Sequence, residues 1–197
     1  MTTTIRLATE EDAEQMLAIY APIVRNTAIS FELEPPTIAE FKSRVTEYLN
    51  VAPWVVCESE NIIVGYSYAG RHRARAAYQW SVDVSVYVAA NQHRRGVGRA
   101  LYTSLIECLR LQGFYNAYAG ITLPNPASVA LHESLGFQPV GVYRDVGYKL
   151  GQWHSVGWWA LALRNESPPP PLIALRDLTE TAAWKQAMSA GTALLIR

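Results

Sequence analysis

The stretch Trp80–Val88, WSVDVSVYV, alternates strictly between two kinds of residue. Val82, Val84, Val86 and Val88 point one way, and Ser81, Asp83, Ser85 and Tyr87 the other. A period of two predicts a strand with one buried face. Earlier in the chain, Ile5-Arg6-Leu7 predicts a short strand. Ala13, Met16, Leu17, Tyr20, Ile23 and Val24 then recur at helical spacing from about Glu10. Thr37 with Glu40 three residues on forms a capping box, opening a second helix through Phe41, Val45, Tyr48 and Leu49. Two β-rich runs, Trp54–Cys57 and Ile62–Tyr66, are separated by Ser59-Glu60-Asn61, which predicts a hairpin and an antiparallel start to the sheet.

Beyond the alternating strand, Val97, Leu101, Leu105, Cys108 and Leu109 mark a helix stopping near Gly113, followed by a strand from Tyr115 to Ile121. Asn125 suits an N-cap, Pro126 the first helical position and Gly136 the stop of another helix. Two further β segments are predicted, Gln138–Tyr143 and Trp153–Leu163. Strands followed by a helix crossing to another strand and helix imply an α/β or α+β fold with a mixed sheet. Ser167 and the four prolines after it break the pattern, because such a run favours polyproline II. The expected division is a domain over 1–165 and, over 166–197, a Pro-rich linker and extension in which Leu175–Met188 could form a short helix.

Composition narrows the partners. Seventeen Lys+Arg balance seventeen Asp+Glu, so neither a nucleic acid nor an anionic membrane surface is expected to bind through charge. Although half the residues are hydrophobic, no apolar run approaches the ~20 residues of a bilayer span, and the start MTTTIRLATEED lacks a basic end followed by an apolar stretch. A cytoplasmic protein is the expectation. Cys57 and Cys108 have no Cys or His at metal-ligand spacing, so both are expected to be reduced and buried, with no metal bound.

The sharpest local feature is Gln92-His93-Arg94-Arg95-Gly96-Val97-Gly98-Arg99-Ala100, directly after a strand and opening a helix. Two glycines let the backbone fold close to a ligand, unpaired N–H groups gather at the helix start, and three arginines add charge. These are the requirements of a pyrophosphate cradle, and equally those of an ordinary connection. The loop has neither the Gly-Lys-Ser/Thr ending of a Walker A motif nor the spacing of a dinucleotide fingerprint.

Arg95-Gly96-Val97-Gly98-Arg99-Ala100, followed by Asn125-x-x-Ser128-x-x-Leu131-His132-Glu133-x-Leu135-Gly136-Phe137, resembles the GNAT superfamily of acetyl-CoA-dependent N-acetyltransferases. From about residue 5 to 163 the chain resembles the phosphinothricin and methionine sulfoximine acetyltransferases. That likeness rests on Phe31-Glu32, Glu34-Pro35-Pro36, Ala69-Gly70 with Arg73-Ala74-Arg75 and Ala77-Tyr78, Leu123-Pro124-Asn125, and Gly147-Tyr148-Lys149 before Trp153-His154. The resemblance implies a GNAT-like mixed, centrally splayed sheet flanked by helices, with acetyl-CoA wedged in the gap. Backbone groups of Val86, Tyr87 and Val88 would pair with the pantetheine arm as an added strand does. Arg94, Arg95, Gly96, Val97, Gly98, Arg99 and Ala100 would hold the pyrophosphate, and Asn125 and Ser128 would touch the cofactor, although an N-cap alone also explains Asn125.

Neither cysteine has an adjacent base, so direct attack by a substrate amine is expected, and a base must deprotonate that amine. Asp83 is the candidate, being the only acid in a strand whose other face is all valine; its alternative is an ion pair with a neighbouring arginine. The family pattern carries Glu at this position. His132 would be the acid or thiolate stabiliser by its place in the motif, or else a packing residue; His72, His93 and His154 have weaker claims. Arg73 and Arg75, alternate residues of an extended segment, could present two guanidiniums to one small anion. Phe31, Glu32 and Tyr78 complete the substrate pocket by resemblance, Glu32 holding the ammonium. The family also implies a homodimer, for which Trp153, Trp158 and Trp159 could supply an apolar contact if they are not core. The reading is acetyl transfer to the α-amino group of a small amino-acid analogue. Transfer to a protein N-terminus or another amine, and a non-catalytic acyl-CoA-binding module, are the rivals.

Overall fold

In a computed structural model describing residues 3–195, the strands are β1 (Thr3–Leu7), β2 (Trp54–Ser59), β3 (Ile62–Arg71), β4 (Ser81–Val88), β5 (Asn116–Leu123), β6 (Gln138–Lys149) and β7 (Gln152–Ala162). The helices are α1 (Ala13–Asn26), α2 (Ile38–Leu49), α3 (Val97–Gln112), α4 (Pro126–Ser134), α5 (Leu175–Leu178) and α6 (Ala182–Ser189). All seven strands form one sheet in the order β1-β2-β3-β4-β5-β7-β6. Every pairing is antiparallel except β4 with β5, which is parallel. A parallel neighbour requires a crossover, and α3 provides it.

Each face of the sheet buries its own core. On one side Val82 and Val84 of β4, with Ala117, Ala119 and Ile121 of β5, pack under Leu101, Leu105 and Leu109 of α3. On the other, Met16, Tyr20 and Val24 of α1 and Phe41 and Val45 of α2 cover Trp54 and Tyr66. Trp54 stacks on Tyr68 at 4.2 Å between centroids. The alternation of residues 80–88 is thus two-sided: its valines serve the α3 core, while Tyr87 packs edge-on against Tyr20 on the opposite face.

Local chemistry explains the helix ends. The Thr37 hydroxyl accepts from the Glu40 N–H, whose carboxylate accepts from the Thr37 N–H at 2.7 Å. Asn125 caps α4 by accepting the Ser128 N–H, and Pro126 occupies its first position. Gly113 ends α3 at φ +92°, a left-handed conformation that glycine adopts without a Cβ penalty.

Two expectations change. β6 continues to Lys149 rather than ending near Tyr143, because a register shift between Tyr143 and Gly147 absorbs Asp145 at positive φ before pairing with β7 resumes. The extension after Ser167 adds to the domain's core. Leu175, Leu178, Trp184, Ala187 and Met188 are buried with α3, and the Ser104 hydroxyl donates to the Met188 carbonyl at 2.7 Å. The weak apolar stripe of Leu175–Met188 reflects two short helices in place of one.

Candidate active site

β4 and β5 pair for three rungs only, Ser81 with Asn116, Val82 with Ala117 and Asp83 with Tyr118. Beyond that they part. β5 follows β7 to Leu123, while β4 follows β3 to Val88. The fork opens a cleft of about 400 Å³, including its open mouth, between Val84–Tyr87 and Ala119–Thr122. Asn125, Ser128 and His132 close it from α4, and Tyr102 from α3.

On the β4 side, Val86, Tyr87 and Val88 are paired to β3 through one edge, and Val86 and Tyr87 border the cleft with the other. An extended amide chain can join such an edge. At the mouth, Arg94 and Gly96 have φ of +62° and +80°, and Gly96 begins α3 with no side-chain cap. The first N–H groups of α3 are therefore left for an anion. Gly98 has a second duty. A Cβ there would lie 3.3 Å from Leu131 and 3.6 Å from Val88, so its absence lets α3 close against α4 and β4. The cleft edge, the left-handed turn and the uncapped helix together fit a pantetheine arm followed by a pyrophosphate.

The 3 % exposed His132 donates from Nδ1 to the Ser128 carbonyl at 2.7 Å. Burial lowers its pKa, so it is neutral near pH 7 with its lone pair on Nε2. That nitrogen accepts the Tyr102 hydroxyl at 3.0 Å. The Tyr102 hydroxyl therefore points its single proton at His132 and borders the cleft with its oxygen, a site residue that the sequence pattern does not single out. The one aromatic residue of α3 was the available signal.

Asp83 sits at the apex of the fork. Its Oδ1 is 2.6 Å from His72 Nδ1, so a histidine pair stands where the alternative reading had an arginine pair. Burial pushes the Asp83 carboxyl above its ordinary pKa, and the His72 hydrogen bond pulls it back down. β3 and β4 create the pair, since Gly70 lies directly opposite Asp83 and brings no side chain, leaving His72 to reach across the diagonal.

A model of the acetyltransferase (GNAT) domain matches residues 5–158. The chain belongs to the GNAT family. Among curated GNAT relatives, the phosphinothricin N-acetyltransferase of Streptomyces viridochromogenes is 39% identical over 168 residues, spanning 85% of this chain and 92% of that one. The L-methionine sulfoximine/L-methionine sulfone acetyltransferase of Salmonella typhimurium is 31% identical over 84% of this chain and 98% of its own length. Among solved structures, a phosphinothricin acetyltransferase from Sinorhizobium meliloti in complex with AcCoA superposes with a TM-score of 0.82 at 31% identity, covering 90% of this chain and 98% of that one.

The remaining candidates of this GNAT chain divide. Glu32 is bound to Arg44 at 2.7 Å, so an ammonium would have to compete for its carboxylate. Phe31 packs over Gly147, where a Cβ would collide with its ring, and lies 6.3 Å from His154. Lys149, which carries the family likeness in the sequence without an assigned role, fixes this loop by donating to the Val24 and Ser30 carbonyls, both at 2.7 Å. Arg73 and Arg75 do not share one side of a strand, because β3 ends at Arg71 and a bent segment carries both. Arg73 nonetheless lies 6.0 Å over the Trp158 ring, close to His72. Tyr78 meets His72 edge-on at 5.9 Å. His93 bonds the Val88 carbonyl and His154 the Lys149 carbonyl. Cys57 and Cys108 are buried, their thiols pushed up to about 11 and about 12, which leaves them protonated and unreactive. Trp159 is core, whereas Trp153 is exposed. Among the described residues no cluster of His, Cys, Asp or Glu could hold a metal ion, and no helix is long and apolar enough to cross a membrane.

Proposed function

We propose that this chain transfers the acetyl group of acetyl-CoA to the α-amino group of a small amino-acid analogue of the phosphinothricin or methionine sulfoximine/sulfone kind. The observation that carries this reading is the fork, in which one free strand edge runs from an uncapped, Gly-turned helix start to a half-buried carboxylate at the apex. The activities named for the Streptomyces and Salmonella relatives, and the AcCoA of the Sinorhizobium complex, support it.

Val86–Val88 would hold the pantetheine amides, and Arg94–Ala100 the pyrophosphate, with Asn125 and Ser128 beside the arm. The thioester then lies between Asp83 and Tyr102. The substrate nitrogen attacks the acetyl carbonyl carbon, and the C–S bond breaks. As charge develops on the departing sulfur, the Tyr102 hydroxyl turns its single proton from His132 Nε2 to that sulfur, an interaction that strengthens with the charge. Arg73 and Arg75 meet the substrate's anionic group, and Phe31, Glu32 and Tyr78 shape its pocket. We also assign the protein to the cytoplasm as a homodimer. Val140, Val142, Tyr143 and Tyr148 of edge strand β6 are exposed apolar residues suited to a second copy.

Thiol release from acetyl-CoA over phosphinothricin, methionine sulfoximine, methionine sulfone, amino acids and peptides tests the function. Turnover confined to the amino-acid analogues is expected. Preference for peptides would reassign the acceptor, and acetyl-CoA binding without release for any amine would reduce the chain to a binding module. Light scattering showing only a 21.9 kDa species would reject the dimer.

A further inference from the structure

The bond between Asp83 and His72 changes which atom faces the substrate. A carboxylate oxygen accepts, so this 2.6 Å contact uses the proton on His72 Nδ1, and in the neutral form of the imidazole the lone pair is then on Nε2. Nε2 has no protein partner among the described residues. The ring is held on three sides. It stacks on Tyr118 at 4.5 Å and 24°, and meets Tyr78 and Trp158 edge-on at 5.9 and 6.2 Å. Its backbone is tied by the His72 N–H to the Ser81 carbonyl and by Arg73 to the His72 carbonyl. Tyr118 is the β5 residue opposite Asp83 at the last rung before the strands part, so the imidazole lies against the apex of the cleft. Its side chain keeps 14% exposure, enough for a single polar contact.

We propose that His72 Nε2 takes the proton from the substrate ammonium, with Asp83 as its positioning partner; this rests on the acetyl transfer proposed above. A proton delivered to Nε2 creates an imidazolium beside a carboxylate, an ion pair in a half-buried site. Delivered to Asp83, it would give a neutral acid and discard that attraction. An imidazole is also closer than a carboxylate to the proton affinity that general-base catalysis near pH 7 needs. The ionisable groups facing the pair are Tyr118 from β5, Tyr78 and Arg73 from the segment after β3, and Tyr48 from α2, packed on Gly70.

In the step itself, one ammonium N–H bond breaks, its electrons stay on nitrogen and the proton goes to Nε2. The nitrogen pair forms the C–N bond, and the C–S electrons leave on sulfur. The nitrogen's second proton ends on that sulfur, giving the CoA thiol, and His72 returns its proton to water.

The test uses His72→Asn, whose amide can still donate to Asp83, with His72→Gln as a second variant, Asp83→Asn, and the His72→Asn/Asp83→Asn double. CoA release is followed with whichever panel amine the wild type acetylates, at about pH 7 and about pH 9, alongside acetyl-CoA affinity by calorimetry. Both His72 variants should keep acetyl-CoA affinity and lose roughly 10²–10⁴-fold in kcat at neutral pH. Part of the loss should return at high pH, where free amine is abundant. The double should lose no more than His72→Asn alone, because the two residues act as one unit. Wild-type kcat in a His72 variant, with Asp83→Asn inactive, would make Asp83 the base and overturn the proposal. An equal loss at both pH values, or loss of acetyl-CoA binding in both His72 variants, would make His72 structural and overturn it too. A wild type that releases no CoA with any amine overturns the function and this inference together.

Discussion

The two ends of the cleft are built differently. The mouth is one continuous stretch, Arg94 to Ala100, whose left-handed turn and uncapped helix are fixed by its own glycines. The apex is assembled from the end of β3, the middle of β4, Tyr118 of β5 and Trp158 of β7. An anion needs only backbone N–H groups and positive charge, which a local sequence can supply. A proton acceptor needs one side chain held by another at hydrogen-bond distance, which only neighbouring strands in the right register provide. The anion-binding geometry therefore sits in a contiguous segment, and the paired titratable side chains sit where strands meet.

That contrast is open to attack at both ends, beyond the His72 and Asp83 variants. At the mouth, Gly96→Val forces a β-branched residue to φ +80°, at a cost of roughly 1–2 kcal/mol, and crowds the phosphate site. Acetyl-CoA affinity should fall by roughly ten- to a hundredfold, or about 1.4–2.8 kcal/mol, with kcat at saturation much less affected; unchanged calorimetric affinity in a folded variant would remove the pyrophosphate from this loop. Gly98→Val should weaken binding and stability together, since its Cβ meets Leu131.

On the amine side, Arg73→Ala should raise the Michaelis constant for phosphinothricin by roughly tenfold, as expected for loss of one charge-assisted contact, and spare an uncharged amine. An equal rise for both substrates would assign Arg73 to the backbone bond it makes with His72. Lys149→Met strands the buried Val24 and Ser30 carbonyls, costing about 2–4 kcal/mol in denaturant melts and loosening the loop of Phe31. If the amine Michaelis constant does not move while stability falls, that loop plays no part in substrate binding.

The smallest effect is a pH dependence of stability. Burial lowers the pKa of His132, so in the range below about 6.5 the unfolded chain takes up a proton that the folded one resists. His132 therefore contributes stability above that range and loses it as the pH falls. The stability of His132→Gln should decline less steeply than that of the wild type between about pH 7 and pH 5. Parallel slopes would show that His132 is not the neutral acceptor of the Tyr102 hydroxyl.

Much of this molecule is determined by the sequence alone, because the determining physics is local. The two-residue period of 80–88, the Thr37–Glu40 box, the Asn125-Pro126 start and the glycine at 113 each act within a few residues, and each element stands where they put it. The glycine turn that opens α3 was legible for the same reason. What the sequence could not show depends on partners far apart in the chain. Asp83 is bound to a histidine because Gly70 faces it across β3 and β4. His132 is neutral because burial against Tyr102, thirty residues away, and Phe137 disfavours its charged form. The extension joins the core because α3 offers it an apolar face. Periodicity reveals which side of a strand or helix is buried, but protonation states and proton paths follow from distances and burial, which exist only once the strands are side by side.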